Sequence, residues 1–128
     1  MPDKVIHILH VDDIEEEFIL VNKLLSDIDG VKFDIQWAPD AASAQQALRR
    51  ASFDLCLIDY YLGKDNGLEF ARSAIAGGVV IPFILMSGQG NSAINQEAMK
   101  IGVRQCLNKN DLTTSLLVNA ISSTLQNS

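Results

Sequence analysis

Apolar runs and helix-period segments alternate along the chain. Val5 to Val11 is mostly apolar and reads as a strand; Ile14 to Asp27 follows at helical spacing, with Ile14, Phe18, Val21 and Leu25 on one face. Gly30 ends that helix. The segment Phe33-Asp34-Ile35-Gln36-Trp37 alternates apolar with polar, as a half-buried strand does, and Asp40 is placed to cap a second helix. Leu55 to Ile58 reads as a third strand, Gly67 to Ala76 as a third helix and Val79 to Met86 as a fourth strand, with Gly77-Gly78 between the last two and Pro82 near the strand's start. A fourth helix, Asn91 to Ile101, stops at Gly102. A more polar strand, Arg104 to Asn108, then leads to a final helix over Leu116, Leu117, Ile121 and Leu125.

A βα unit repeated in this way predicts an α/β fold, (βα)5, in which a parallel sheet is covered by helices on both faces, because parallel strands need crossovers. Interior strands are buried on both faces and read as continuous apolar runs, whereas edge strands carry polar residues. The second and fifth strands are the polar pair, which selects the flavodoxin-like doubly wound order 2-1-3-4-5 over 3-2-1-4-5. Its topological switch point lies between the first and third strands, and ligands bind there, beyond the strands' carboxyl ends. Those ends carry Asp12-Asp13 and Asp59.

The length of 128 residues and a hydrophobic share of 48% suit one domain spanning residues 1–128. A net charge of −6 with no Lys or Arg cluster leaves little to neutralise phosphates along a duplex, so no direct nucleic-acid binding is expected. No stretch approaches the roughly 18 apolar residues of a membrane span. The polar start Met1-Pro2-Asp3-Lys4 lacks the apolar segment of a secretory signal, so the expected location is cytoplasmic, away from the membrane. Cys56 and Cys106 each sit in an apolar run and read as buried thiols.

Taken singly, Asp12, Asp13 or Asp59 is equally an ordinary cap of the helix that follows it. Together, three carboxylates converging on one crevice repel each other and raise at least one pKa unless a cation sits among them. All-oxygen ligation suits Mg²⁺, which takes one or two carboxylates and keeps room for phosphate oxygens. Ser87 and Lys109 follow the fourth and fifth strands on the same rim, where a hydroxyl and an ammonium have charge-assisted contacts to offer a phosphorylated carboxylate.

The motifs Val-Asp-Asp at 11–13, Leu-Ile-Asp-Tyr-Tyr-Leu-Gly at 57–63, Asn-Gly-Leu-Glu at 66–69 and Leu-Met-Ser-Gly-Gln-Gly at 85–90, together with Lys109, resemble the response regulator receiver family over essentially the whole chain. The resemblance implies a signalling phosphoacceptor rather than an enzyme acting on outside substrates. By it, Asp59 takes a phosphoryl group from a histidine kinase or histidine phosphotransfer protein. Asp12, Asp13, Asp59 and the Tyr61 backbone carbonyl hold Mg²⁺ or Mn²⁺, and Ser87 and Lys109 read the phosphoryl group. A downstream effector protein then responds to a population shift near the fourth and fifth strands.

Two positions depart from the family pattern. Cys106 stands three residues before Lys109, where members commonly carry an aromatic switch residue, and Asn110 replaces a proline that follows the lysine in a cis peptide. A non-proline cis bond costs about 2.5–4 kcal/mol, so a trans bond is expected. Tyr61 and Gln89 occupy positions at which members tune the lifetime of the phosphoryl group, and the bulk of Tyr61 predicts slow self-dephosphorylation.

Competing readings are weaker. Gly88 to Ala93 fits G-x-G-x-x-A, but a dinucleotide fingerprint belongs to the first βα turn. Tyr61 takes the place of the second acid that an aspartyl phosphohydrolase wants. A receiver-like interaction module that signals without phosphate is the alternative that Cys106 and Asn110 suggest. His7 and His10 read as packed or hydrogen-bonded residues rather than metal ligands, Glu15 to Glu17 as an acidic first turn favouring the helix N-terminus, and Trp37 as partial cover for apolar surface. With nothing after the fifth helix to act as an output segment, the signal is expected to pass to a partner, unless the chain is a piece of a longer one.

Overall fold

A computed structural model describes residues 4–26, 28–88 and 92–126. Strands β1 (Lys4–Val11), β2 (Val31–Ala38), β3 (Leu55–Asp59), β6 (Phe83–Ser87) and β7 (Gln105–Asn108) form a five-stranded parallel sheet in the order β2-β1-β3-β6-β7. In the order of the five main strands this is the expected 2-1-3-4-5. Every residue of β3 and β6 is buried, whereas β2 alternates half-buried with exposed positions. The two edges are therefore the strands whose polar residues can face water.

Alternation within each strand divides the core in two. Leu9, Val11, Cys56, Ile58, Phe83 and Leu85 pack against helices α2 (Ala41–Arg50), α3 (Gly67–Ala76) and α4 (Ser92–Ile101). Ile8, Leu55, Leu57, Ile84 and Met86 pack on the other face against α1 (Glu15–Leu24) and α5 (Thr114–Gln126). Caps fix two helix starts: Asp40 accepts the Ser43 N–H at 2.7 Å, as expected, and Asn66 accepts the Glu69 N–H at 3.1 Å.

Several boundaries move. The fourth main strand begins at Phe83, not Val79. Val80 is 92% exposed and strand pairing with β3 begins only at Phe83, so residues 79–82 form an approach to the sheet, tied to β3 where the Pro82 carbonyl accepts from the Cys56 N–H. Helix α1 ends at Leu24, short of the expected Asp27, which lies outside the described residues. On its expected inner face Val21 and Leu25 are buried but Ile14, at the N-cap, is exposed. The expected starting residue of α4, Asn91, is likewise outside the described residues, as are Gln89 and Gly90 of the G-x-G-x-x-A segment and Met1 to Asp3.

Two small elements were not legible as periodic patterns. Tyr61–Leu62 (β4) and Asp65–Asn66 (β5) pair antiparallel in a short hairpin, with Gly63 at φ +63° in its turn. Lys109–Asp111 forms a 3₁₀ turn in which the Asn108 side chain accepts the Asn110 N–H at 2.9 Å. The Lys109–Asn110 peptide is trans, as expected, with no cis bond among the described residues.

Candidate functional site

Register brings the chemistry together. Val11 pairs with Ile58, Asp59 with Met86 and Ser87 with Asn108, so Asp12, Asp59, Ser87 and Lys109 emerge along one edge of the sheet at the carboxyl ends of adjacent strands. Asp12, Asp59 and Ser87 are buried. The hairpin folds back over this edge: the Gly67 N–H donates to the Tyr60 carbonyl at 2.7 Å, and a side chain on Gly67 would begin 2.0 Å from the Asp59 carbonyl oxygen. No real β-carbon survives such an approach, which explains glycine after Asn66 better than helix chemistry does.

Lys109 is the hub. Its Nζ lies 3.1 Å from Asp59 Oδ2 and 3.5 Å from Asp12 Oδ2, and it contacts the Glu17 carboxylate. Carboxylate oxygens of Asp12, Glu17 and Asp59 lie within 4.8 Å of one another. Glu17, read from sequence only as an acid of the first helical turn, is therefore a site residue. Asp13 stands outside that trio, exposed at the rim with Oδ2 near Gly63, yet close enough for its charge to disfavour ionisation of Asp59.

Electrostatics follow from crowding. Burial pushes the Asp59 carboxyl up to about 6; Lys109 opposes the rise, while Asp12 and Asp13 add to it. Glu17 rises to about 7 through burial and its contact with Asp12, again against the pull of Lys109. Burial also opposes ionisation of Asp12, but the His10 ring, the Glu17 side chain, the Ile14 N–H and Lys109 together hold it below the ordinary carboxylate value. Half-burial disfavours the charged form of Lys109, and contacts with Glu17, Asp59 and Asp12 reverse this and raise its pKa. Asp12 Oδ2 and Asp59 Oδ1 remain buried without a hydrogen-bond partner. Two orphaned carboxylate oxygens beside a third acid make a donor set suited to a hard divalent cation.

The response regulator receiver domain family matches residues 8–122. The chain belongs to the response regulator receiver family. Solved structures agree with this receiver domain in fold. It superposes on the receiver domain of Francisella response regulator 1452 with a TM-score of 0.82 at 17% identity, covering 94% of this chain and 97% of that one. For the signal receiver domain of an HD domain-containing protein from Pseudomonas fluorescens Pf-5 the TM-score is 0.84 at 22% identity, with 97% of each chain covered. NtrX from Brucella abortus gives 0.84 at 25% identity over 94% of this chain but only 27% of NtrX. No curated protein matches the sequence.

The remaining expected residues of the receiver domain have distinct settings. Tyr61 is 62% exposed, its ring edge-on to Tyr60 at a centroid distance of 4.8 Å. Cys106 is half-buried against the α2–α4 side of the core, its Sγ 3.9 Å from the Asn95 carbonyl of α4. His10 is fully buried with its Nε2 3.5 Å from Asp12 Oδ2, inside the site rather than merely in the strand. His7, by contrast, is a surface residue, its Nδ1 3.1 Å from Asp34 Oδ2. No described helix is long and apolar enough to cross a membrane.

Proposed function

We propose that this receiver domain accepts a phosphoryl group on Asp59 from a histidine kinase or histidine phosphotransfer protein and signals by conformational change to a partner protein. The observation that carries the reading is the setting of Asp59: a buried carboxylate with one oxygen on Lys109 and the other free of any partner. An Asp59 oxygen attacks phosphorus, the bond from phosphorus to the donor's imidazole nitrogen breaks, and the imidazole leaves with the electron pair and takes up a proton.

Asp12 and Asp59 are the inner carboxylates for Mg²⁺ or Mn²⁺, Asp13 and the Tyr61 carbonyl complete the set that the family pattern implies, and Glu17 lies within reach of the first two. The cation's contribution, when bound, is to neutralise charge that builds on the phosphoryl oxygens. Lys109 already carries a positive charge to the same place. Once Asp59 is modified, the Lys109 ammonium pairs with the phosphoryl oxygens and the Ser87 hydroxyl donates to one of them. With Cys106 in place of an aromatic, the response spreads through the packing of β6, β7 and α4 rather than by an inward-swinging ring.

Intact-mass measurement after incubation with acetyl phosphate and Mg²⁺ tests the reading. The wild type should gain the mass of one phosphoryl group and Asp59→Asn should gain none. A wild type that stays unmodified under conditions where Mg²⁺ binds would instead favour a module that signals without phosphate.

A further inference from the structure

Asp12 has four polar groups to satisfy, and the protein fixes three of them. Its main-chain N–H donates to the Ala38 carbonyl at 3.1 Å, and its Oδ1 accepts the Ile14 N–H at 3.0 Å. Its carbonyl, leaving the sheet where β1 has no further rung, accepts the Trp37 indole N–H at 2.7 Å. Only Oδ2 lacks a partner; it is buried, with Lys109 Nζ and His10 Nε2 each 3.5 Å away. The indole is itself held. It stacks on Phe18 of α1 at 5.7 Å and 15°, and the Phe18 ring in turn packs against the buried His10 at 6.0 Å.

We propose that Trp37 is a positioning residue for the divalent cation: its indole N–H locks the peptide joining Asp12 to Asp13 and so aims the free oxygen of Asp12 into the acidic cluster. This rests on the cation-binding reading above. The carbonyl that Trp37 grips belongs to the peptide that sets the direction of both acids, so releasing it lets the peptide rotate and disperses two carboxylates at once. Partners that orient a ligating group without touching the ion affect affinity strongly when removed. Partial cover for an apolar surface, the role expected from sequence, needs the ring but not the N–H.

Trp37→Phe keeps the stack on Phe18 and deletes the donor. Amide NMR titrations with Mg²⁺ on the full chain should show wild-type binding at the site and a dissociation constant raised about tenfold in the variant. An unchanged constant would overturn the inference even if the variant's melting temperature fell, because that pattern is purely structural. Absence of wild-type Mg²⁺ binding would sink the cation reading itself, and this inference with it. Should Trp37→Phe fail to fold, wild type alone decides, since Trp37 is the sole tryptophan. Its single indole N–H resonance should move with the same midpoint as the site's amides, and a stationary resonance at saturation would contradict the role.

Discussion

The α-carbon of Gly67 faces the main-chain carbonyl of Asp59 so closely that a methyl group there would lie 2.0 Å from the oxygen and 2.9 Å from the carbon. Both neighbours are backbone, so neither can step aside as a flexible side chain would. Helix α3 therefore buttresses the end of β3, and the position of Asp59 depends on the bare α-carbon of Gly67.

Gly67→Ala should destabilise the protein by about 1–3 kcal/mol in urea unfolding, the usual range for overpacking. Its helix-propensity gain of roughly 0.5–1 kcal/mol does not offset that clash. Phosphorylation should slow as well, since the strain is released by moving Asp59. A variant as stable and as reactive as wild type would show that α3 is free to slide away.

The raised pKa of Asp59 has a definite sign. The folded state holds this proton more tightly than the unfolded chain, so the contribution is fully present below the ordinary value of 3.8 and is lost as pH rises through about 6. Metal-free protein should lose stability across that window. Asp59→Asn should flatten the profile and be more stable than wild type at pH 7, by on the order of 1–2 kcal/mol after allowing for partial solvent screening. Chemical denaturation at several pH values in a chelating buffer measures this; an identical slope in the variant would assign the dependence to other groups.

Lys109 offsets three acids, and removing it leaves them to one another. Lys109→Met should cost about 1–3 kcal/mol without metal, below the range for a fully buried pair because the lysine is partly exposed. Added Mg²⁺ should then raise its melting temperature by more than it raises that of wild type, because cation and ammonium neutralise the same charge. Equal increments would separate the lysine from the cation site.

Tyr61→Ala should shorten the lifetime of the phosphorylated form while changing stability by less than about 1 kcal/mol, because its ring is largely in solvent and stands edge-on to Tyr60. Phosphate loss after removal of the donor gives the rate. An unchanged half-life would leave the ring without a role in shielding.

Polarity alone identified the sheet edges and hence the crevice, because an interior parallel strand has no face on which to carry charge. The same apolar criterion failed at Val79 to Pro82, where a hydrophobic run packs as a loop and Val80 points into water. Glu17 was readable in hindsight: it lies three residues after Ile14 and four before Val21, on the helix's inner stripe, where a charge needs a partner. Glu17 also belongs to the acidic first turn with Glu15 and Glu16, where attraction to the helix N-terminus accounts for its charge without a partner. The grip of Trp37 on Asp12 and the contact of Gly67 with Asp59 join residues from different elements, and no local pattern announces either.

Locating the modified atom tests the central claim most directly. After incubation with Mg²⁺ and acetyl phosphate, borohydride reduction converts an acyl phosphate on aspartate into homoserine, which peptide mass spectrometry places in the chain. Homoserine at position 59 is the predicted result. A product at another acid, or none although the protein has gained a phosphoryl group, would contradict the assignment of Asp59 as the acceptor.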